Sequence, residues 1–447
     1  MTKLNDSVED PMQEQHFNQL LQNTMDQDKK NEWIHAFRQN HWQVFQSIGF
    51  PSKKLESWKY TDLTFLRNET YEIPHSSLHT PYEDHKRYKI DSTYNLFFVD
   101  GIVDTKISDK LPLGAELVSI EHELLKSENK LKEKIDSFYC RSSMASETLM
   151  EHLNLAFLNQ GYWIKISKNT KLDKPISIHF IASKGRKNVV CYPFVLIEVK
   201  SGAEATLIEN NMYLESDRNF FNGLCLIDIA QQGKLTHLVE QEQGEQSVCL
   251  SNCKVKVNAQ STYEAFVFSS GGRVIRNFHK ISILGEGADV VVNGIYMTKN
   301  REHIDNQTCI VHEKGNSQSR QLYKGVLDDQ SHAVFSGKVI IKKDAQKVIS
   351  SQLNKNLLLS EKAEINTKPE LQVDADDVKA NHGAAIGQMD ESELFYLQSR
   401  GIGVDQAQKM LARGYLQDVV FHSLSPMVKT RINKRLDQIF DHQGYGV

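Results

Sequence analysis

The sequence predicts a mainly β fold, a parallel β-helix flanked by helical regions at both ends. Three observations carry this. From Gly161 onward, short runs rich in β-branched and aromatic residues follow one another for roughly 230 residues. Turn signals such as Ser201-Gly202, Gly271-Gly272 and Gly285-Glu286-Gly287 separate them, with no helical period between. A sandwich usually tops out near ~200–250 residues, whereas a solenoid grows by adding coils, here of ~20–25 residues.

The elements follow in order. Residues 1–160 form an α-rich region with a short β element. Ile34, Phe37, Val44, Phe45 and Ile48 recur at helical spacing and end at Gly49. Residues 117–135 and 149–158 repeat that period, so both are expected as helices. Between them and the first helix, residues 95–104 (NLFFVDGIVD) read as strand, turn and strand. Residues 161–389 form the β-helix core. Residues 390–447 return to helix: Asp390 and Glu393 make a capping box, Gly401 offers a stop, and Asp405 caps a second helix ending at Gly414. After Pro426, Val428, Ile432, Leu436, Ile439 and Phe440 form a last apolar stripe. This tail is too small for its own core and must dock on the β body or a partner.

Composition removes several functions. The 447 residues carry 53 Lys+Arg against 57 Asp+Glu, a net charge of −4. No basic surface for neutralising phosphates follows from that balance, so nucleic-acid binding is not expected. The longest apolar run, 189–199, contains Glu198 and is far shorter than the ~20 residues of a spanning helix. The first ten residues carry three acids and no apolar segment, unlike a signal peptide. Six scattered cysteines, at 140, 191, 225, 249, 253 and 309, suit a reducing compartment. A cytoplasmic location without membrane contact is expected.

Catalytic motifs fail individually. Ser336-Gly337-Lys338-Val339 lacks the first glycine and the magnesium-binding hydroxyl of a P-loop, and Gly285-x-Gly287 lacks a third glycine. No nucleophile elbow and no His-Glu-x-x-His occurs. Cys249 and Cys253 are ~13 Å apart on a strand, too far for one metal. Cys309 and His312 fall on opposite faces. The thiols read as buried side chains. His382, where the β body gives way to the tail, is the best candidate ligand for a borderline metal such as iron. His303, Asp305 and His312 form a second, weaker polar group.

A resemblance covers nearly the whole chain. Tyr323-Lys324-Gly325-Val326-Leu327, Phe335-Ser336-Gly337-Lys338, Asn356-Leu357-Leu358-Leu359-Ser360, Thr367-Lys368-Pro369-Glu370-Leu371, Ala375-Asp376-Asp377-Val378, His382-Gly383 and the run Leu394 to Ile402 (LFYLQSRGI) occur in that order. Together they resemble the SufB/SufD family of iron–sulfur cluster assembly proteins. Trp58-Lys59-Tyr60-Thr61 and Leu153-Asn154-x-Ala156-Phe157 are similar to its SufD branch.

That resemblance implies a right-handed parallel β-helix with helical flanks. It implies a non-catalytic scaffold that pairs with SufB, binds the SufC ATPase and supports iron entry. No cofactor is expected on the lone subunit; the iron–sulfur cluster and a reduced flavin belong to the complex, and the sequence leaves open a homodimer when SufB is absent. His382 matches a family position implicated in cluster assembly at the SufB interface. Ala380-Asn381 stands where the family often has Cys-Ser, so thiol ligation is lost there. Ala363 stands about where the SufB branch carries its scaffold cysteine. Phe395, Tyr396, Arg400 and Phe421 fall on helices similar to the SufC-docking surface. The alternative is a β-helix carbohydrate-active enzyme, a polysaccharide lyase or glycosidase, because fold alone does not decide function.

Overall fold

The computed structural model describes residues 15–27, 32–74, 88–125, 130–139, 147–181, 188–213 and 218–442. Cys140 and the first ten residues lie outside this set. Two long sheets face each other across a lumen. Sheet I runs from Ile102–Val103 at one edge to Val378–Gln388 at the other, and sheet II from Ala115–Ser119 to Glu364–Val373. Successive strands alternate between the sheets and pair in parallel with the strand two positions back, as Phe220–Ile229, Val248–Val257 and Val274–Ile283 do in sheet II. This is a parallel β-helix.

The coils are longer than the sequence spacing suggests. Register partners lie 26 residues apart at Cys253 and His279, and 32 apart at His332 and Glu364. Each coil holds two strands of about ten residues and two turns. Several strands escape an apolar-run search altogether: Val274–Ile283, His303–His312, Gln318–Leu327, Glu364–Val373 and Val378–Gln388. Their lumen-facing positions carry Asn277, His279, Asn306, Thr308, Gln321 and similar polar residues, which erase the apolar alternation while the side chains stay buried.

β structure also begins before residue 161. Tyr94–Val99 pairs with Ile176–Ile181 and joins sheet I. It turns back through Asp100 and Gly101, both at positive φ, into Ile102–Val103, the tight hairpin the NLFFVDGIVD segment suggests. Residues 117–135 are not one helix. Ala115–Ser119 is a strand antiparallel to Gly161–Ile166, and only Ile120–Leu124 and Lys130–Asp136 are helical. An extended edge for Leu117 and Val118 to complete outweighs their weak helical period.

The helical regions cover opposite outer faces. Glu32–Gln46 and Leu149–Ala156 pack with other N-terminal residues over Phe194, Leu224, Phe220, Val248 and Leu250 of sheet II. Val404–Phe421 and Pro426–His442 lay Leu416, Val420, Ile432 and Leu436 on Leu238, Phe266, Ile295 and Val326 of sheet I. Asp390 caps Glu391–Ser399 by accepting from the Ser392 N–H at 2.7 Å. Asp405 is not a cap, because Gly403 holds that position, and the helix continues through Gly414 to Phe421. Leu416, Val419 and Val420 keep an apolar face on the sheet past that glycine.

Candidate functional site

The last coil leaves both sheets open. Glu364–Val373 and Val378–Gln388 are the terminal strands of their sheets, and most of their residues are half-buried or exposed. Among the described residues neither has a further strand beyond it, so their outward backbone groups form an unpaired edge, a template for another chain.

His382 stands on this edge. It is the register partner of Gln352. Val378 and Ala380, four and two residues before it, pack toward Val339, Ile341 and Val348, so His382 shares the lumen-facing side of its strand. The ring itself is exposed. Behind it Gln352 is 2% exposed, with neither its amide oxygen nor its amide nitrogen hydrogen-bonded. Gln352 crosses the lumen toward Gly337, where a Cβ would have no room. Ala363 is buried in the turn that enters Glu364–Val373.

The tail presents a second surface. Glu391–Ser399 buries none of its side chains; Phe395 is 71% and Tyr396 56% exposed. Arg400 is exposed, its guanidinium carbon 5.2 Å from the Tyr396 ring centroid. Phe421 and Leu424, at the junction of the two packed helices, are also exposed. The docked faces of the tail thus use other residues, and these five large side chains are exposed away from the β body.

The polar group of His303, Asp305 and His312 divides. His312 lies in the lumen between the Ser317 and Ser319 hydroxyls at 2.8 and 2.9 Å. His303 and Asp305 face outward and meet Thr61, whose hydroxyl donates to Asp305 Oδ2 at 2.6 Å and contacts His303 Nε2 at 2.8 Å. Arg276 pairs with Asp305, donates to the Ser57 carbonyl at 2.8 Å and lies 3.8 Å from the Trp58 ring centroid. The Trp58–Thr61 motif therefore anchors the N-terminal region to sheet II. Cys309, on the opposite face from His312 as its spacing requires, borders a cleft of about 250 Å³ with Lys59, Tyr60, Lys338 and Lys368.

One cluster was not foreseen from the sequence. His237, Cys253 and His279 are buried in the lumen, and a donor atom from each lies within 4.8 Å of the others. Spacing along the strand separates Cys249 from Cys253, and Cys249 receives hydrogen bonds from Asn211 and Gln241. What it missed is stacking between coils: Cys225, Cys253 and His279 are successive register partners. A search for ligand residues repeating every 26–28 positions would have found them. Burial opposes charge on His237, yet Cys253 and Glu209 lift the imidazole to about 10. Burial likewise opposes ionisation of Cys253, but Cys225 and the two histidines hold the thiol well below its ordinary range.

Comparison with known proteins decides the family. The SUF system FeS cluster assembly SufBD core domain matches residues 180–415, and the SufBD protein N-terminal region matches residues 12–178. The chain belongs to the SufBD family. Within it, this SufBD protein is 28% identical to the iron–sulfur cluster assembly protein SufD of Escherichia coli, over 91% of this chain and 96% of that one. It is 25% identical to a SufBD family iron–sulfur cluster assembly protein of Synechocystis, over 86% of each chain. It is 27% identical to the chloroplastic protein ABCI7 of Arabidopsis thaliana, over 87% of this chain and 82% of the relative. The chain is a SufD-like iron–sulfur cluster assembly protein, which sets aside the carbohydrate-active alternative. Among its described residues no helix is long and apolar enough to cross a membrane.

Proposed function

We propose that this chain is a non-catalytic scaffold of a cytoplasmic SufBCD-type complex, pairing with SufB through the open end of the β-helix and holding SufC through the helical tail. The observation that carries the reading is the uncapped last coil. Two unpaired strand edges side by side, with His382 exposed on the lumen-facing column, suit a partner that continues both sheets and contributes further ligands to iron. A single imidazole completes a site and does not build one. The nascent cluster is cargo here. His382 is the ligand this chain offers, and reduced flavin acts at the level of the complex.

Exposed Phe395, Tyr396, Arg400 and Phe421 supply the aromatic and guanidinium anchors typical of interface centres. They are assigned to SufC. In the absence of SufB, the same open edges are the surface on which two copies would pair.

The test is co-expression of the tagged chain with SufB and SufC from the same organism, followed by mass determination of the purified complex. One SufB, one copy of this chain and two SufC are expected. Elution of the tagged chain without SufB would remove the proposed pairing.

A further inference from the structure

The lumen cluster lies away from the open end and has no part in the proposed pairing. His237 comes from sheet I, while Cys253 and His279 are neighbours on sheet II, so the three donors converge across the lumen from both walls. Two features beyond mutual distance mark a built site. Glu209 lies 3.0 Å from His237 Nε2, fixing the ring and leaving Nδ1 directed inward. That carboxylate–imidazole pair is the usual support behind a metal-bound histidine. On the next rung, Cys225 is the register partner of Cys253, which sets a second sulfur beside the first.

We propose that His237, Cys253 and His279 form a buried site for a Zn²⁺-class divalent cation, with Cys225 as the fourth ligand. Two imidazoles and two thiolates give the tetrahedral Cys₂His₂ set that binds zinc as a structural ion. Ala265, Ile281 and Val255 line the lumen beside the site and are buried. Tyr263, whose hydroxyl lies 3.0 Å from His237 Nδ1 and 2.8 Å from His279 Nε2, gives up its place between the rings when the cation enters. Four ligands drawn from four strands would tie three successive coils together across the lumen, so the ion acts as a staple for the middle of the β-helix. It is taken up as the coils close, since every donor is sealed from solvent.

The test uses the full chain purified from cells grown in minimal medium with zinc, and in parallel with cobalt replacing zinc. Elemental analysis after gel filtration in chelator should find about one zinc per chain. The cobalt protein should show a thiolate-to-metal charge-transfer band. Both should disappear in Cys253→Ser and persist in Cys249→Ser, whose thiol is equally buried but lies outside the set. A soluble wild-type chain with neither zinc nor a cobalt–thiolate band overturns the site, whatever the variants do. Metal retained at full occupancy in Cys253→Ser overturns the ligand assignment.

Discussion

His237 and His382 stand on the same lumen-facing column of sheet I, five strands apart. The column runs His237, Ala265, Val292, Gln321, Gln352, His382, each residue in register with the next. At ~4.8 Å per strand the two histidines are ~24 Å apart along the stack. One is sealed in the middle of the β-helix and the other is exposed at its open end, so the same residue type at the same register meets different surroundings. The difference is set by position along the solenoid alone.

Glu264 holds the tail in place. Buried on the outer face of sheet I, it accepts hydrogen bonds from Ser423 Oγ at 2.5 Å, Leu424 N–H at 2.6 Å and Ser425 N–H at 3.3 Å. Glu264→Ala should cost about 2–3 kcal/mol, because charge-assisted bonds at a helix junction are lost and buried donors stay behind. Limited proteolysis should then cut near Ser423 before the β body is touched, and thermal unfolding should shift downward.

The Trp58–Thr61 anchor depends on a buried ion pair. Asp305→Ala removes the partner of Arg276 and the acceptor of Thr61, leaving a buried guanidinium uncompensated. A loss of about 3–5 kcal/mol is expected in urea unfolding. Thr61→Val removes only the bridging hydroxyl and should cost about 1 kcal/mol.

Acid should weaken the fold through histidines that are buried neutral. Burial is the main cause that pushes His41 down to about 3 and His152 to about 4, and the Nδ1 atoms of this pair lie 2.7 Å apart. Burial also holds His179 near 3 and His303 and His312 near 4. The unfolded chain protonates these rings near pH 6.5, whereas the folded chain does not until far lower. Stability is therefore full above pH 6.5 and falls as the pH drops toward 4, by up to ~1.4 kcal/mol per pH unit for each ring. Urea unfolding at about pH 7 and about pH 5 should show this loss, and the double variant His41→Gln/His152→Gln should shrink it.

The terminal helices and ordinary apolar strands are legible in the sequence; the strand at Ala115–Ser119 and the polar lumen are not. The stripe at Val428, Ile432, Leu436, Ile439 and Phe440 predicts the last helix because each of those residues meets sheet I. The strand carrying His303, Asn306 and Thr308 shows no such pattern. Its buried Asn306 accepts from Asn277 on the previous coil, 29 residues back, and Thr308 donates to Gln321, 13 residues on, partners that only the fold supplies. The motif alone marks His382 as a candidate, and its exposure follows from the end of the stack. His237 and His279 were missed because no local spacing joins them.

Exposed aromatics on the tail should matter to binding and not to folding. Phe395→Asp and Tyr396→Asp should leave urea stability within about 0.5 kcal/mol, since neither side chain is buried. The SufC recovered with the complex should fall toward one copy. Deleting the whole tail would be a poorer experiment, because residues 404–442 cover the apolar face of sheet I. Unchanged SufC stoichiometry in both variants would move that interface elsewhere.

The central claim is that His382 serves the cluster from the open end of the solenoid. The direct measurement is His382→Ala in the complex co-expressed with SufB and SufC, with melting temperature and iron–sulfur cluster yield read on the same preparation. An exposed ring with no buried partner should leave assembly and melting temperature nearly unchanged while cluster yield collapses. Normal cluster yield with a lowered melting temperature would make His382 a structural residue and contradict the account.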